Sequence, residues 1–259
     1  MEPVLPTVCM HKEHYHFAKY ILKNQKEQVM SYFQNDIADT INQFSVKHCP
    51  NDRYASFDYC YGYFKSSSSE QLLEDIEKSC LVLGFYLASW GMMRGSSFLL
   101  GHSVKYFEPL IGYIAEQDKS IWDIDVDNYN EQNIDTILEI YTNCKDLLIH
   151  GNNAHLTLIT KILLGVFGFV PAFDRYFKDA FSSISSNKCG YSVCNQNALR
   201  HIHQFYLDNR YEVDSLVDEL VILDFITGEP SGLRYPKAKI IDMYGFTKGL
   251  NMSLSIKAS

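Results

Sequence analysis

The sequence predicts a nearly all-helical protein. Apolar residues recur at three- and four-residue spacing along most of the chain, the mark of a buried helix face. Clusters of Gly, Pro, Asn and Ser break these runs into helices of ordinary length. The composition, 46% hydrophobic and 21% charged over 259 residues, is globular and excludes disordered, collagen-like and fibrous classes.

Taken in order, Val29, Phe33, Ile37, Ile41 and Phe44 form one helix face, broken at 48–53 by Pro50 and Asn51-Asp52. Residues 57–64 are rich in aromatics and read as a short strand or extended loop. In a strand, Tyr59, Tyr61 and Tyr63 share one side. The serine run 66–69 offers N-caps for a helix through Leu72, Leu73, Ile76 and Cys80 towards Trp90. Gly91 and Gly95 flank Met92, Met93 and Arg94 and predict a bend, after which a helix is expected over 97–116. The acidic connection 118–133 carries Asp123, Asp125 and Asp127, but lacks the central Gly and terminal Glu of a calcium loop. Further helices are expected over 133–148, 156–167, 172–184, 196–209, 213–226 and 237–244, with a turn-rich loop at 228–236.

Charge and cysteine usage narrow the class. The net charge is −8, whereas basic domains are the usual electrostatic footprint of nucleic-acid binding. The excess is uneven. Residues 1–140 hold 11 Lys and Arg against 20 Asp and Glu, and the remainder hold 12 against 11. The neutral half leaves room for a local phosphate-binding surface. No apolar run reaches the roughly 18–20 residues of a membrane span. The polar, His-rich start of the chain has no signal-peptide core, so a cytoplasmic protein without membrane partners is expected, its seven cysteines free thiols. Cys9, His11, His14 and His16 lack regular ligand spacing. His201 and His203 point apart on a helix, so no metal is expected.

The most informative stretch is 147–178. One helix ends near Ile149, His150-Gly151-Asn152-Asn153-Ala154 turns the chain, and a second helix begins near His155. Such a turn aims backbone N–H groups of the new helix at an anion such as a DNA phosphate. The second helix ends at 165–168, Pro171 follows, and Asp174 falls at the start of the next helix, where its charge suits the helix dipole.

In these residues the chain resembles the helix-hairpin-helix DNA glycosylase superfamily. Residues 149–155 match its hairpin, 156–164 its apolar helix, and 171–177 the segment that carries its catalytic aspartate, here Asp174. Gly151 and Asp174 stand 23 residues apart, a spacing this superfamily shows. Residues 87–94 resemble the helix that lines its base pocket. The chain departs from the pattern at Asn153, where the second hairpin glycine stands, and at Tyr176. It also departs at His155, the position of the nucleophilic lysine in bifunctional members, and no four-cysteine iron–sulfur pattern follows Asp174.

The resemblance implies one glycosylase-like unit over 1–259, a two-lobed helical bundle with approximate lobes 1–130 and 131–259. It implies a monofunctional DNA glycosylase that leaves an abasic site, without a cofactor. Asp174 is the implied carboxylate. Gly151, Asn152, Asn153, His155 and Arg175 are the implied DNA contacts, and Tyr59, Tyr61, Trp90 and Arg94 the implied base pocket. The partner is double-stranded DNA with a flipped modified or damaged base, in repair or in anti-phage defence. Lys161, six residues beyond His155, is a displaced amine. The alternatives are a non-enzymatic helical module that binds DNA or protein, and a glycosidase acting on free or RNA nucleosides.

Overall fold

The computed structural model describes residues 36–45, 49–151 and 153–258. Among the described residues, eleven α-helices and one small hairpin follow in chain order: α1 (Asp36–Ser45), α2 (Ala55–Ser66), α3 (Ser69–Glu74), α4 (Ile76–Ser89), α5 (Glu108–Ala115), α6 (Glu131–Leu148), α7 (Leu156–Ile162), α8 (Arg175–Ile184), α9 (Gln196–Asp208), α10 (Arg210–Glu219), β1 (Val221–Leu223), β2 (Pro230–Arg234) and α11 (Lys237–Ala258). The expected helical class holds. Within the predicted first helix, Ile37 and Ile41 are buried, while Val29 and Phe33 lie outside the described residues. The N-terminal Cys9, His11, His14 and His16 lie outside them too.

Local chemistry sets the element ends. Ser68 closes a capping box with Gln71, satisfying otherwise orphaned N–H groups of α3. Asp75 splits the predicted helix into α3 and α4, and its carboxylate caps Lys78 N at 3.3 Å. Asn130 and Asn195 cap α6 and α9 in the same way.

The structure corrects four expectations. Residues 57–64 lie in α2, not in a strand. Phe57, Cys60, Tyr61 and Phe64 recur at helical spacing and are all buried, so that face outweighs the alternation of tyrosines. Tyr59, Tyr61 and Tyr63 therefore point in different directions. The helix expected over 97–116 is two 3₁₀ turns, Phe98–Gly101 and Val104–Phe107, before α5. Ser97 caps the first, and Pro109 in the first turn of α5 cannot donate a backbone hydrogen bond back. The helix expected over 213–226 ends at Glu219, and Val221–Leu223 pairs antiparallel with Pro230–Arg234, within the predicted loop. Buried Asp58 of α2 holds this hairpin, accepting from Leu223 N at 2.8 Å and Tyr235 Oη at 2.5 Å. Finally, α11 runs far beyond Tyr244. No described helix is long and apolar enough to cross a membrane.

One continuous core joins residues from Ile37 to Tyr244. Inside it, residues 168–173 run without regular structure, and Phe169 to Phe173 are buried. Buried backbone polar groups need partners, and side chains supply them here. Tyr129 Oη donates to Phe169 O. Asp242 Oδ1 accepts from Ala172 N at 3.0 Å, and Thr160 Oγ1 accepts from Phe173 N at 2.9 Å. Thr157 Oγ1 donates to Phe173 O at 2.9 Å. The segment leaves a π-helical turn, Leu163–Phe167, through Gly168 at φ +79°. A Cβ on Gly168 meets Tyr61 Cε2 at 2.5 Å.

Helices α8 and α11 pack so closely that a Cβ on Gly249 meets the Tyr176 carbonyl oxygen. Backbone cannot give way as a side-chain tip can. Gly249→Ala is therefore expected to cost about 3 kcal/mol, read by urea unfolding; an unchanged midpoint contradicts this packing.

Asp125 accepts from Val126 N, Lys237 N and Ala238 N at 2.7, 2.7 and 2.9 Å, and so caps α11. Burial pushes its carboxyl from 3.8 up to about 6, against the opposing pull of those N–H groups. A folded-state value above the unfolded one favours the protonated fold. This contribution is full below about pH 4 and is lost as pH rises through about 6. The thermal midpoint of Asp125→Asn is expected to vary less than the parent's across that window; parallel profiles contradict the assignment.

Candidate functional site

The site follows from the ties on residues 168–173. Thr157 and Thr160 of α7 clasp Phe173, so Lys161, next along α7, faces Asp174. Asp174 is the N-cap of α8, as its sequence position predicts. Its Oδ1 accepts from Phe177 N at 3.0 Å, and its Oδ2 lies 3.4 Å from Lys161 Nζ. The Asp174 side chain keeps 15% of its exposure and Lys161 only 5%, so the carboxylate is at the surface end of the pair.

Trp90, the C-cap of α4, lies against this pair. Lys161 Nζ is 5.0 Å from the Trp90 ring centre, and Lys239 Nζ is 4.7 Å from it. Both separations suit cation–π attraction. Lys239 pairs with Asp242 at 2.9 Å, with side-chain exposures of 3% and 7%. Asp242 thus serves two masters, the buried ammonium and the backbone before Asp174. Trp90 Nε1 is buried and has no hydrogen-bond partner among the described residues. Tyr86 Oη donates to Lys161 O at 3.1 Å, and burial drives that hydroxyl's pKa far up, so it stays a donor. The Tyr86 ring fills the space over Gly165, where no Cβ fits.

Two lysines and two aspartates around one indole make a costly arrangement. A buried ion pair seldom outdoes an apolar pair of equal volume. The cluster offers a carboxylate, an amine beside it and an aromatic face.

The remaining predicted residues separate into groups. Gly151 is exposed at φ +73°, and Asn153 Nδ2 donates to His150 O at 2.9 Å, which closes the turn. His155 Nδ1 stands 3.1 Å from Asn153 O, and the hairpin joins α6 to α7 as expected. Asn152 lies outside the described residues. Arg175 is exposed, 3.7 Å from Asp179. Trp90 joins Asp174 in the cluster, but three residues of the expected pocket do not. Tyr59 donates to Pro50 O at 2.7 Å and meets Phe225 edge-on. Tyr61 stacks on Phe57 at 5.6 Å, and Arg94 is exposed with its guanidinium over Gly91. The helical form of α2 separates the tyrosines, so the expected shared wall does not exist.

Lys239 and Asp242 escaped the sequence reading. Their signal is a charged pair three residues apart inside the apolar run 238–244. The acidic connection also has roles: Asp123 pairs with Lys65 and Asp127 with Lys237. Among the described residues, no group of three or more His, Cys, Asp or Glu is placed to hold a metal ion. Compared with known proteins, the chain matches no family model, no curated protein and no solved structure.

Removing one partner of the Lys239–Asp242 pair strands a buried charge. Asp242→Leu is expected to cost about 3–5 kcal/mol, and adding Lys239→Met to recover part of it, read by denaturant unfolding. A double variant no more stable than the single one contradicts the pairing.

Proposed function

We propose that this chain is a DNA glycosylase that hydrolyses the N-glycosidic bond of a modified or damaged base in double-stranded DNA. One observation carries the reading. Asp174 is fixed by its cap through Oδ1, sets its Oδ2 against Lys161, and stands partly exposed within a cation–aromatic cluster. The exposed hairpin turn at Gly151 leads into α7, which clasps the backbone at Phe173.

The chemistry asks for these parts. A base must leave the stack before its bond can be reached, at a cost of a few kcal/mol. Aromatic stacking offsets about 1–3 kcal/mol of that per base, and Trp90 is the aromatic nearest the pair. Departure of the base develops positive charge on the deoxyribose, and a carboxylate beside the sugar stabilises it. Asp174 fills that role and orients the attacking water. Backbone N–H groups of the hairpin and the head of α7 hold the strand. The proposed chemistry needs no cofactor. Cytoplasmic repair and cytoplasmic defence against invading DNA both fit it.

The Lys161–Asp174 contact favours a second reading of the same site. Asp174 takes a proton from Lys161, the freed amine attacks C1′, and the base departs with its bonding pair and gains a proton. The nitrogen lone pair then expels O4′, which takes a proton as the C1′–O4′ bond breaks, leaving an open-chain Schiff base to the sugar that borohydride reduces to a permanent cross-link. A cross-link lost in Lys161→Gln supports this reading, and its absence alongside base release supports the hydrolytic one.

The test is a panel of duplexes with damaged and modified bases, including phage DNA with glucosylated hydroxymethylcytosine, cleaved by hot alkali after incubation. Asp174→Asn is expected to lower base release at least about a hundredfold while retaining duplex binding. Full activity in that variant, or no breaks across the panel, contradicts the proposal.

A further inference from the structure

A groove of about 670 Å³ runs between α8, the loop after it and the far half of α11. Arg175, Lys178 and Ser182 line it from α8, Asn187 and Ser192 from the loop, and Ser253 from α11. Positions 175, 178 and 182 fall on one helix face, and Asp174 caps the same helix one turn before Lys178. The groove thus leads away from the carboxylate of the proposed site.

Its charge runs against that of the whole chain. The protein carries −8, yet the groove's charged lining is Arg175 and Lys178 against a single acid, Asp179, and Lys188 is exposed next in sequence to the lining residue Asn187. Asp179 lies 3.7 Å from Arg175, a loose contact between exposed groups. Lys178 and Lys188 form no ion pair among the described residues. The walls also present Ser, Asn and Gly, which suit hydrogen bonding to phosphate oxygens. From Arg175 to Ser182 the helix rises about 10 Å, the length of about three nucleotides along a duplex strand.

We propose that this groove is a track for the DNA sugar–phosphate backbone, running on from Asp174 along the helix that it caps. The proposal rests on the glycosylase reading and adds a second anchor to it. The hairpin is one anchor for the strand, and Lys178 and Lys188 neutralise phosphates at a second. The contacts read no sequence; they set register and supply salt-dependent affinity.

The probe is a duplex with one tetrahydrofuran abasic analogue, titrated by fluorescence anisotropy across a salt series. Lys178→Gln with Lys188→Gln is expected to weaken binding roughly tenfold and to flatten the log–log salt slope by about two. A control double variant, Lys78→Gln with Lys105→Gln, removes equal charge from α4 and the 3₁₀ turn Val104–Phe107 and is expected to leave the slope near the parent's. Circular dichroism confirms that each variant folds. If the parent binds and the groove and control variants behave alike, the track is wrong and the glycosylase reading stands. If the parent does not bind the duplex at any salt concentration, both fail.

Discussion

The arrangement depends on six residues that have no helix or strand to satisfy them. Segment 168–173 crosses the core, and a chain that does so must place every N–H and C=O or lose free energy comparable to a hydrogen bond for each. Thr157 and Thr160 hold it from α7, Asp242 from α11 and Tyr129 from the connection before α6. Three separate regions of the chain thus converge on the backbone just ahead of Asp174. Its carboxylate is placed by over-determination, since moving it breaks several of these bonds together.

The same ties explain why charge is tolerated inside. Asp242 is needed for Ala172 N, and a carboxylate buried there needs a counterion, which Lys239 provides. Lys239 then rests on the faces of Phe57 and Trp90, and Lys161 takes the other approach to Trp90. The indole is shared between a pair that holds the structure and a pair that faces the surface. This gives the cluster an inner, structural half and an outer half whose carboxylate reaches the surface.

Much of this was legible in the sequence, and the failures have physical causes. The hairpin at 149–155 and the cap at Asp174 were readable because Gly, Asn and Asp act locally, through backbone conformation and N–H groups a few residues away. The tyrosines at 59, 61 and 63 misled because a two-residue alternation overlay a three- and four-residue period, and burial of Phe57, Cys60, Tyr61 and Phe64 decided between them. The hairpin of β1 and β2 was missed because it depends on Asp58, more than 150 residues away in sequence. The Lys239–Asp242 pair was visible as charge in an apolar run, but its partner Ala172 was not, because nothing local links them.

The central claim is that a deoxyribose docks against Asp174. A crystal structure of the Asp174→Asn protein with a duplex carrying the excised base tests it most directly. The account places C1′ of the flipped nucleotide beside residue 174, with the base toward Trp90 and neighbouring phosphates at the Gly151 turn. DNA bound on another face, with residue 174 still closed against Lys161 and no sugar near it, contradicts the account.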